Sequence, residues 1–555
     1  MALWGVGVGV LVLLAKLLGS KPVKVGELDR RSSPPVPKAK GVSRLSTQPT
    51  SIASPPKPAR RSLRSSESID DIEVTQEYQA IRMLIERGTP LIFVSGKAGT
   101  GKSTLIRYLR FVLEKKNVVV LAPTGVAALQ VEGATLHSFF KLPPRIAVDG
   151  DIKELRDRSL YRATDLIIID EISMVRADMI DAIDLFLRLN GKDKNAPFGG
   201  SKLLLIGDLF QLPPVVNRSE EEVLDHLSYR SPFFFSAKCL ANVDLVPIEL
   251  TKMYRQKDKQ FTKLLNAIRV AEDIEESLAK INTSCVLSAE ERPTLIALCS
   301  TNAKADEIND RELAALRTAP EIFIGAVTGN FRRDNHSLPA PMNLVLKVGA
   351  QVMFTKNDEG KRWVNATLGR VVGMSQSELK VQIQGEDDDS VVEVKRAIWK
   401  NYKYVLEESS GRIVAEEIGT YLQFPLTLAW AVTIHKAQGK TLPKVTVDLG
   451  NGAFASGQVY VALSRCRSLS DIRLARPIRA KDVRCDLRIK AFFEATMELQ
   501  KESANVSKGP KRAKKAVKAL PLDTTCPVCG GELAQLTSGL TAYAGCSNCN
   551  YVQKT

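Results

Sequence analysis

The sequence predicts an α/β fold built on parallel sheets, and three observations carry that expectation. Short continuous apolar runs (Leu91–Val94, Val118–Leu121, Leu166–Ile169, Leu203–Ile206) alternate with helical periodicities such as Ile81, Leu84, Ile85 and Leu105, Tyr108, Leu109. Strands covered on both faces by crossover helices read this way, whereas half-exposed strands alternate apolar with polar residues. A second block of the same texture runs from about Leu250 to Thr301 and resumes near Phe424. The chain has 555 residues, more than a single core serves, so several domains are expected.

Residues 1–20 are apolar, with Lys16 the only charge between Ala2 and Leu18. That length lies at the lower edge of the roughly 20 residues that span a bilayer. Two readings stand. One is an inner-membrane anchor, with Lys21, Lys24, Arg30 and Arg31 keeping the remainder in the cytoplasm. The other is an interfacial segment or over-extended start that never inserts, leaving the protein cytoplasmic or nucleoid-associated. Residues 21–70, rich in Ser, Pro and Arg without apolar period, are expected to form a disordered basic linker. The first lobe is expected over 71–245 and the second over 246–310 and 422–495. Between the halves of the second lobe, residues 311–421 change to short strands with Gly and Asp turns (Gln351–Thr355, Arg370–Val372, Leu379–Ile383, Val391–Val394), which suggests a small inserted β-barrel. Another basic linker is expected over 496–522 and a terminal module over 523–555.

Composition supports packed cores: 44% of residues are hydrophobic and 25% charged. The formal charge of +16 is concentrated, with a surplus of +9 in residues 19–66 and +6 in 501–520. The body is therefore near neutral. The basic stretches suit nucleic acid or an anionic membrane surface, and equally a solvated tether without a partner. Nine cysteines are too few for a disulfide scaffold, and Cys239, Cys285, Cys299, Cys466 and Cys485 are scattered singly, as in a reduced intracellular protein.

The chemistry begins at Gly96-Lys97-Ala98-Gly99-Thr100-Gly101-Lys102-Ser103, which fits G-x-x-x-x-G-K-S between a strand and a helix. Glycines let backbone N–H groups close around phosphates at a helix N-terminus. Lys102 is expected to neutralise the β/γ-phosphates of ATP, and the Ser103 hydroxyl to ligate Mg²⁺, with Thr104 completing the binding segment. The run Leu166–Ile169 ends in Asp170-Glu171: Asp170 suits Mg²⁺ ligation and Glu171 suits a general base that activates water. A third strand ends in Gly207-Asp208-Leu209-Phe210-Gln211, where Gln211 is expected to sense the γ-phosphate. Strand C-termini are where open parallel sheets bind ligands.

These segments, with several longer ones, resemble the petite-integration-frequency (Pif) family of superfamily 1 DNA helicases, particularly its bacterial and viral branch, across about Val74–Ile489. The matching motifs are Ala122-Pro123-Thr124-Gly125-Val126-Ala127-Ala128, Gly133–Phe140, Tyr254-Arg255-Gln256, Leu428–Thr441 and Val459–Arg465. The resemblance implies two RecA-like lobes with an SH3-like insert and 5′→3′ travel on single-stranded DNA. It also implies that Gln79 reads adenine and that Arg255 and Arg465 act as γ-phosphate fingers. Pro123, Thr124 and His137 in one lobe and His435 and Lys436 in the other are implied to contact DNA. One departure stands out: the family's Asn-Gly-Thr-x-Gly is Asn365-Ala366-Thr367-Leu368-Gly369 here, which removes the residue that adopts positive φ cheaply.

Near the C-terminus, Cys526, Cys529, Cys546 and Cys549 form a C-x₂-C…C-x₂-C pattern with 16 intervening residues. Two knuckles of this kind close a tetrahedral structural Zn²⁺ site with no open position. The segment resembles the C-terminal zinc ribbons of type I topoisomerases, which implies single-stranded DNA binding, with Tyr543 and Tyr551 as stacking faces; docking of a protein partner remains the alternative.

The expected function is an ATP-dependent DNA helicase acting on single-stranded and forked DNA, in repair, recombination or replication. Two rivals remain: a DNA-stimulated ATPase that remodels nucleoprotein without unwinding, and a degenerate motor that only tethers DNA. Intact Lys102, Glu171, Arg255 and Arg465 argue against the second rival. Oligomeric state is not legible.

Overall fold

The computed structural model describes residues 72–506, apart from 257, 288–295, 332–337 and 385–389, together with three strands within 533–554. The expectations for the apolar segment 1–18, the linker 21–70 and Cys526, Cys529 and Cys549 lie outside the described residues.

The first lobe is a six-stranded parallel sheet containing β1 (Leu91–Gly96), β2 (Val118–Ala122), β3 (Ala134–Thr135), β4 (Leu166–Ile169), β5 (Lys202–Gly207) and β6 (Leu245–Leu250), in the order β3-β2-β4-β5-β1-β6. Alternate residues feed two cores on opposite faces. Leu91 and Phe93 join the cluster around helix Ala177–Asn190, while Ile92 and Val94 join the cluster around helices Gln76–Arg87 and Lys102–Val112. This two-sided burial is why the strands read as unbroken apolar runs. The domain boundary expected at 245/246 falls inside this sheet, because β6 pairs in parallel with β1 over its full length.

The second lobe is a smaller parallel sheet in the order Ala431–Thr433, Ala297–Cys299, Val445–Asp448, Ile472–Leu474. Two stretches of chain distant in sequence thus build one sheet, as the interrupted second block suggests. The intervening segment is antiparallel: a five-stranded sheet (Val391–Val394, Leu379–Ile383, Leu368–Met374, Gln351–Phe354, Leu426–Leu428) shares a core with the pair Glu321–Ile324 and Asn343–Leu346. Ala366 adopts φ +75° there although it carries a Cβ, so losing the family's glycine leaves the left-handed turn in place at a strain of about 1–2 kcal/mol.

A long hairpin, Ala397–Glu407 with Arg412–Gln423, leaves the insert and docks on the first lobe. The Tyr404 hydroxyl accepts from the Val120 N–H and donates to the Val120 carbonyl, both at 3.2 Å, so it caps part of β2 that β3 leaves unpaired. Asn117 bonds the hairpin end in the same manner, donating to the Gly411 carbonyl at 3.2 Å and accepting from the Ile413 N–H at 2.9 Å.

The basic linker expected over 496–522 begins as helix, since Leu487–Val506 is one continuous helix whose Ile489 and Phe492 enter the first-lobe core. Farther on, Leu533–Ser538, Thr541–Cys546 and Val552–Lys554 form a three-stranded antiparallel sheet. No helix among the described residues is long and apolar enough to cross a membrane.

Candidate nucleotide and DNA site

The C-terminal ends of β1, β4 and β5 lie level in the sheet, so the P-loop, Asp170-Glu171 and Asp208 emerge at one edge. Gly99 and Gly101 adopt φ +86° and +89°, which only glycine takes without strain. A Cβ on Gly99 would lie 2.4 Å from the Arg255 Cβ, and one on Gly101 would lie 2.6 Å from the Tyr78 hydroxyl. Helix Lys102–Val112 starts directly after this turn, presenting its first N–H groups at the loop.

Lys102 Nζ donates to the carbonyls of Gly96 at 2.6 Å and Lys97 at 3.1 Å. Burial pushes its ammonium down, opposed by the carboxylates of Asp208, Glu171 and Asp170. Asp170 is buried, and its Oδ1 accepts from the Glu171 N–H at 2.9 Å. Glu171 holds φ +51°, an uncommon backbone for a residue with a long side chain. Burial raises the pKa of both acids, and mutual repulsion raises that of Asp170 further. A divalent cation beside two such carboxylates relieves this penalty, so the donor set of Asp170, Ser103 and the loop amides fits Mg²⁺-nucleotide.

The second lobe closes over these groups. The Gln438 amide donates to Glu171 Oε2 at 3.1 Å and to Gln211 Oε1 at 3.3 Å. Arg465 is 1% exposed and donates to the carbonyls of Val461 (2.7 Å), Ala437 (3.3 Å) and Lys440 (3.2 Å) and to Ser464 Oγ (2.7 Å). Burial and neighbouring Arg255 push its pKa down to about 9, while Glu171 draws it up. Arg255 donates to the carbonyls of Ser464 at 3.3 Å and Gly439 at 3.2 Å, and the adjacent Tyr254 N–H donates to the Gly99 carbonyl at 2.9 Å. Arg255 therefore follows a first-lobe strand and crosses to the second lobe, so it lies on the connector rather than within the far lobe.

Gln79 is exposed on helix Gln76–Arg87, and its neighbour Tyr78 donates to the Gly101 carbonyl at 2.7 Å. Pro123 follows β2, and Thr124 caps helix Gly125–Gln130. His137 lies in helix Leu136–Phe140. In the second lobe, half-buried His435 stacks on exposed Phe454 at 6.4 Å, and Lys436 is exposed. The segments that carry the two groups approach each other, since a Cβ on Gly439 would lie 3.5 Å from Oε1 of Gln130, the last residue of helix Gly125–Gln130.

Four contributors escaped the sequence reading of roles. Gln438, Tyr460 and Asp208 stand inside the quoted motifs without an assigned part. Arg269 had a usable signal: a charge on the apolar stripe Phe261, Leu264, Leu265, Ile268 of helix Lys259–Val270. It is 4% exposed and donates to Asp208 Oδ1 at 2.9 and 3.2 Å. The zinc expectation is outside this view: of its four cysteines only Cys546, which ends a strand, has a described backbone. Among the described residues no cluster of His, Cys, Asp and Glu has the makings of a metal centre of its own.

Fold and site together define a P-loop ATPase of the two-lobed motor class. A family described as PIF1-like helicase matches residues 72–277. The ATP-dependent DNA helicase PIF1 of Mus musculus is 33% identical over 498 residues, covering 86% of this chain and 72% of that protein. A Bacteroides sp Pif1 structure in complex with ADP-AlF4 superposes with a TM-score of 0.70 at 35% identity, over 77% of this chain and 98% of that one. A Bacteroides Pif1 structure with ADP-AlF3 and ssDNA gives 0.56 at 36% identity over the same shares, 77% and 98%. The chain belongs to the PIF1-like helicase family, and it is an ATP-dependent DNA helicase.

Proposed function

We propose that this chain steps along single-stranded DNA in the 5′→3′ direction, separating strands at forks, by opening and closing two RecA-like lobes around ATP. The observation that carries this reading is the convergence of both lobes on one carboxylate: Gln438 reaches Glu171 from the second lobe, with Arg465 close behind it. In this reading Gln79 and the loop Gly96–Thr104 hold the nucleotide, and Ser103 and Asp170 would hold Mg²⁺, which would supply positive charge to offset that of the phosphates. Glu171 takes the proton of the attacking water, while Lys102, Arg255 and Arg465 meet charge developing on the phosphoryl oxygens. Gln211, touching Gln438, reports the γ-phosphate to the second lobe. Pro123, Thr124, His137, His435 and Lys436 supply two DNA grips whose spacing changes as the lobes close.

The insert (311–421) is read as an SH3-like barrel and residues 523–555 as a zinc ribbon that holds the emerging strand. The related Bacteroides protein has been crystallised with ADP-AlF4 and with ADP-AlF3 and ssDNA, which supports both ligand classes. The test is unwinding of forked duplexes bearing a single 5′ or 3′ tail, with Lys102→Ala as the ATPase-dead control. Separation of only the 5′-tailed substrate is expected. ATP turnover without separation of either substrate would instead favour a translocase that remodels nucleoprotein.

A further inference from the structure

A chain of buried contacts runs from the second lobe into the P-loop and meets Gln211, whose Nε2 donates to Asp208 Oδ2 at 3.4 Å. The Tyr460 hydroxyl accepts from the Ala98 N–H at 3.1 Å and donates to Asp208 Oδ2 at 3.1 Å. Asp208 Oδ1 in turn accepts Nε and Nη2 of Arg269. Tyr460 and Arg269 belong to the second lobe, Ala98 and Asp208 to the first, and all four are buried. The Arg269 guanidinium lies over the rings of Phe210 at 4.1 Å and Phe493 at 5.3 Å, which fixes its fork.

What makes this chain more than a lobe-to-lobe fastening is the peptide between Lys97 and Ala98. Its N–H is held by Tyr460, and its carbonyl accepts Lys102 Nζ at 3.1 Å and Thr100 Oγ1 at 2.9 Å. A peptide unit is planar and turns as one body. Displacing the Tyr460 hydroxyl therefore either rotates that plane, moving the carbonyl under Lys102, or strands the buried Ala98 N–H and leaves Asp208 Oδ2 only the longer 3.4 Å bond from Gln211 Nε2.

We infer that Tyr460 is a positioning residue that transmits the position of the second lobe, through the Lys97–Ala98 peptide plane, to the Lys102 ammonium. ATP turnover then responds to DNA-driven lobe movement through the P-loop itself as well as through the arginines. The inference rests on the proposed function. Burial alone raises the Asp208 carboxyl, but Arg269 and Lys102 hold it below the usual carboxylate range, so the anchor of the chain stays ionised.

The experiment compares wild type, Tyr460→Phe, Asp208→Asn and the double variant for ATP turnover with saturating single-stranded DNA, and for KM. Tyr460→Phe keeps the ring and removes only the hydroxyl. It is expected to lower DNA-stimulated kcat roughly 10- to 100-fold, the scale of an ångström-sized misplacement of a reacting group. KM for ATP is expected to move less than about threefold, since the loss falls on the transition state. The double variant should lose little more than the worse single one, because the groups act as a unit. An unchanged kcat in Tyr460→Phe, additive losses, or parallel changes in kcat and KM would overturn the inference. Should Tyr460→Phe fail to fold, Arg269→Lys keeps the charge but not the fork, and an unchanged kcat there overturns it equally. Wild-type protein lacking DNA-stimulated turnover would instead sink the underlying function, a different outcome.

Discussion

The Gln438 side-chain amide, from the second lobe, donates a 3.1 Å hydrogen bond to Oε2 of Glu171 in the first. The carboxylate proposed as the general base is thus held by a group from the opposite lobe. Because a general base works only within hydrogen-bond reach of its water, the proposed mechanism has this contact tie chemistry to lobe closure.

Glu171→Gln is expected to bind ATP and DNA near normally and to lose ~10²–10⁴-fold in turnover, the usual contribution of a positioned base. Single-turnover hydrolysis with bound DNA is the measurement. A loss below tenfold would require another group to activate water.

Burial raises the Glu171 pKa above its ordinary 4.5. The base acts only when ionised, so activity is full above the raised value and falls as pH drops through it. The acid limb of the wild-type pH–rate profile should therefore lie above pH 4.5. As Asp170 titrates beside it, the limb reports the pair rather than either acid alone. Glu171→Gln should flatten that limb; a limb that persists unchanged would assign the titration elsewhere.

Arg465→Ala should reduce kcat by ~10³–10⁵-fold, as expected of a transition-state finger, with a smaller effect on nucleotide affinity. Arg465→Lys should restore little, because the fork that reaches Ala437, Lys440, Val461 and Ser464 is planar and an ammonium cannot reproduce it. Nucleotide titration beside turnover separates the two effects. A pure loss of affinity would remove Arg465 from the phosphate site.

Purified full-length protein should carry about one Zn²⁺ per chain, as a closed four-thiolate site does. Replacing Cys526 and Cys529 together by Ser should abolish it. Deleting residues 521–555 should leave DNA-stimulated ATP turnover nearly intact while weakening single-stranded DNA affinity and shortening unwinding runs. Metal analysis and run-length assays check these separately. Zinc without any effect on DNA would make the segment a protein-docking module.

The first-lobe strands, the P-loop and the acid pair were legible because each is signalled locally. A doubly covered strand must be apolar throughout, and a phosphate loop needs glycine where φ is positive. Leu91–Gly96 and Gly99–Ser103 satisfy both demands within a dozen or so residues of chain. The small insert was equally visible as a change of period. What stayed hidden depends on partners far away in sequence. β6 reads like the start of a second lobe until its pairing with β1 assigns it to the first. Tyr404 is an unremarkable strand residue until its hydroxyl meets Val120. Arg269 on an apolar stripe is an anomaly that only Asp208 explains. Sequence alone thus determined which segments form the P-loop and the acid pair at the strand ends, since those features are encoded in residue type and short spacing. Only the tertiary structure decided which lobe holds which group, because a buried polar atom takes its role from whichever partner satisfies it.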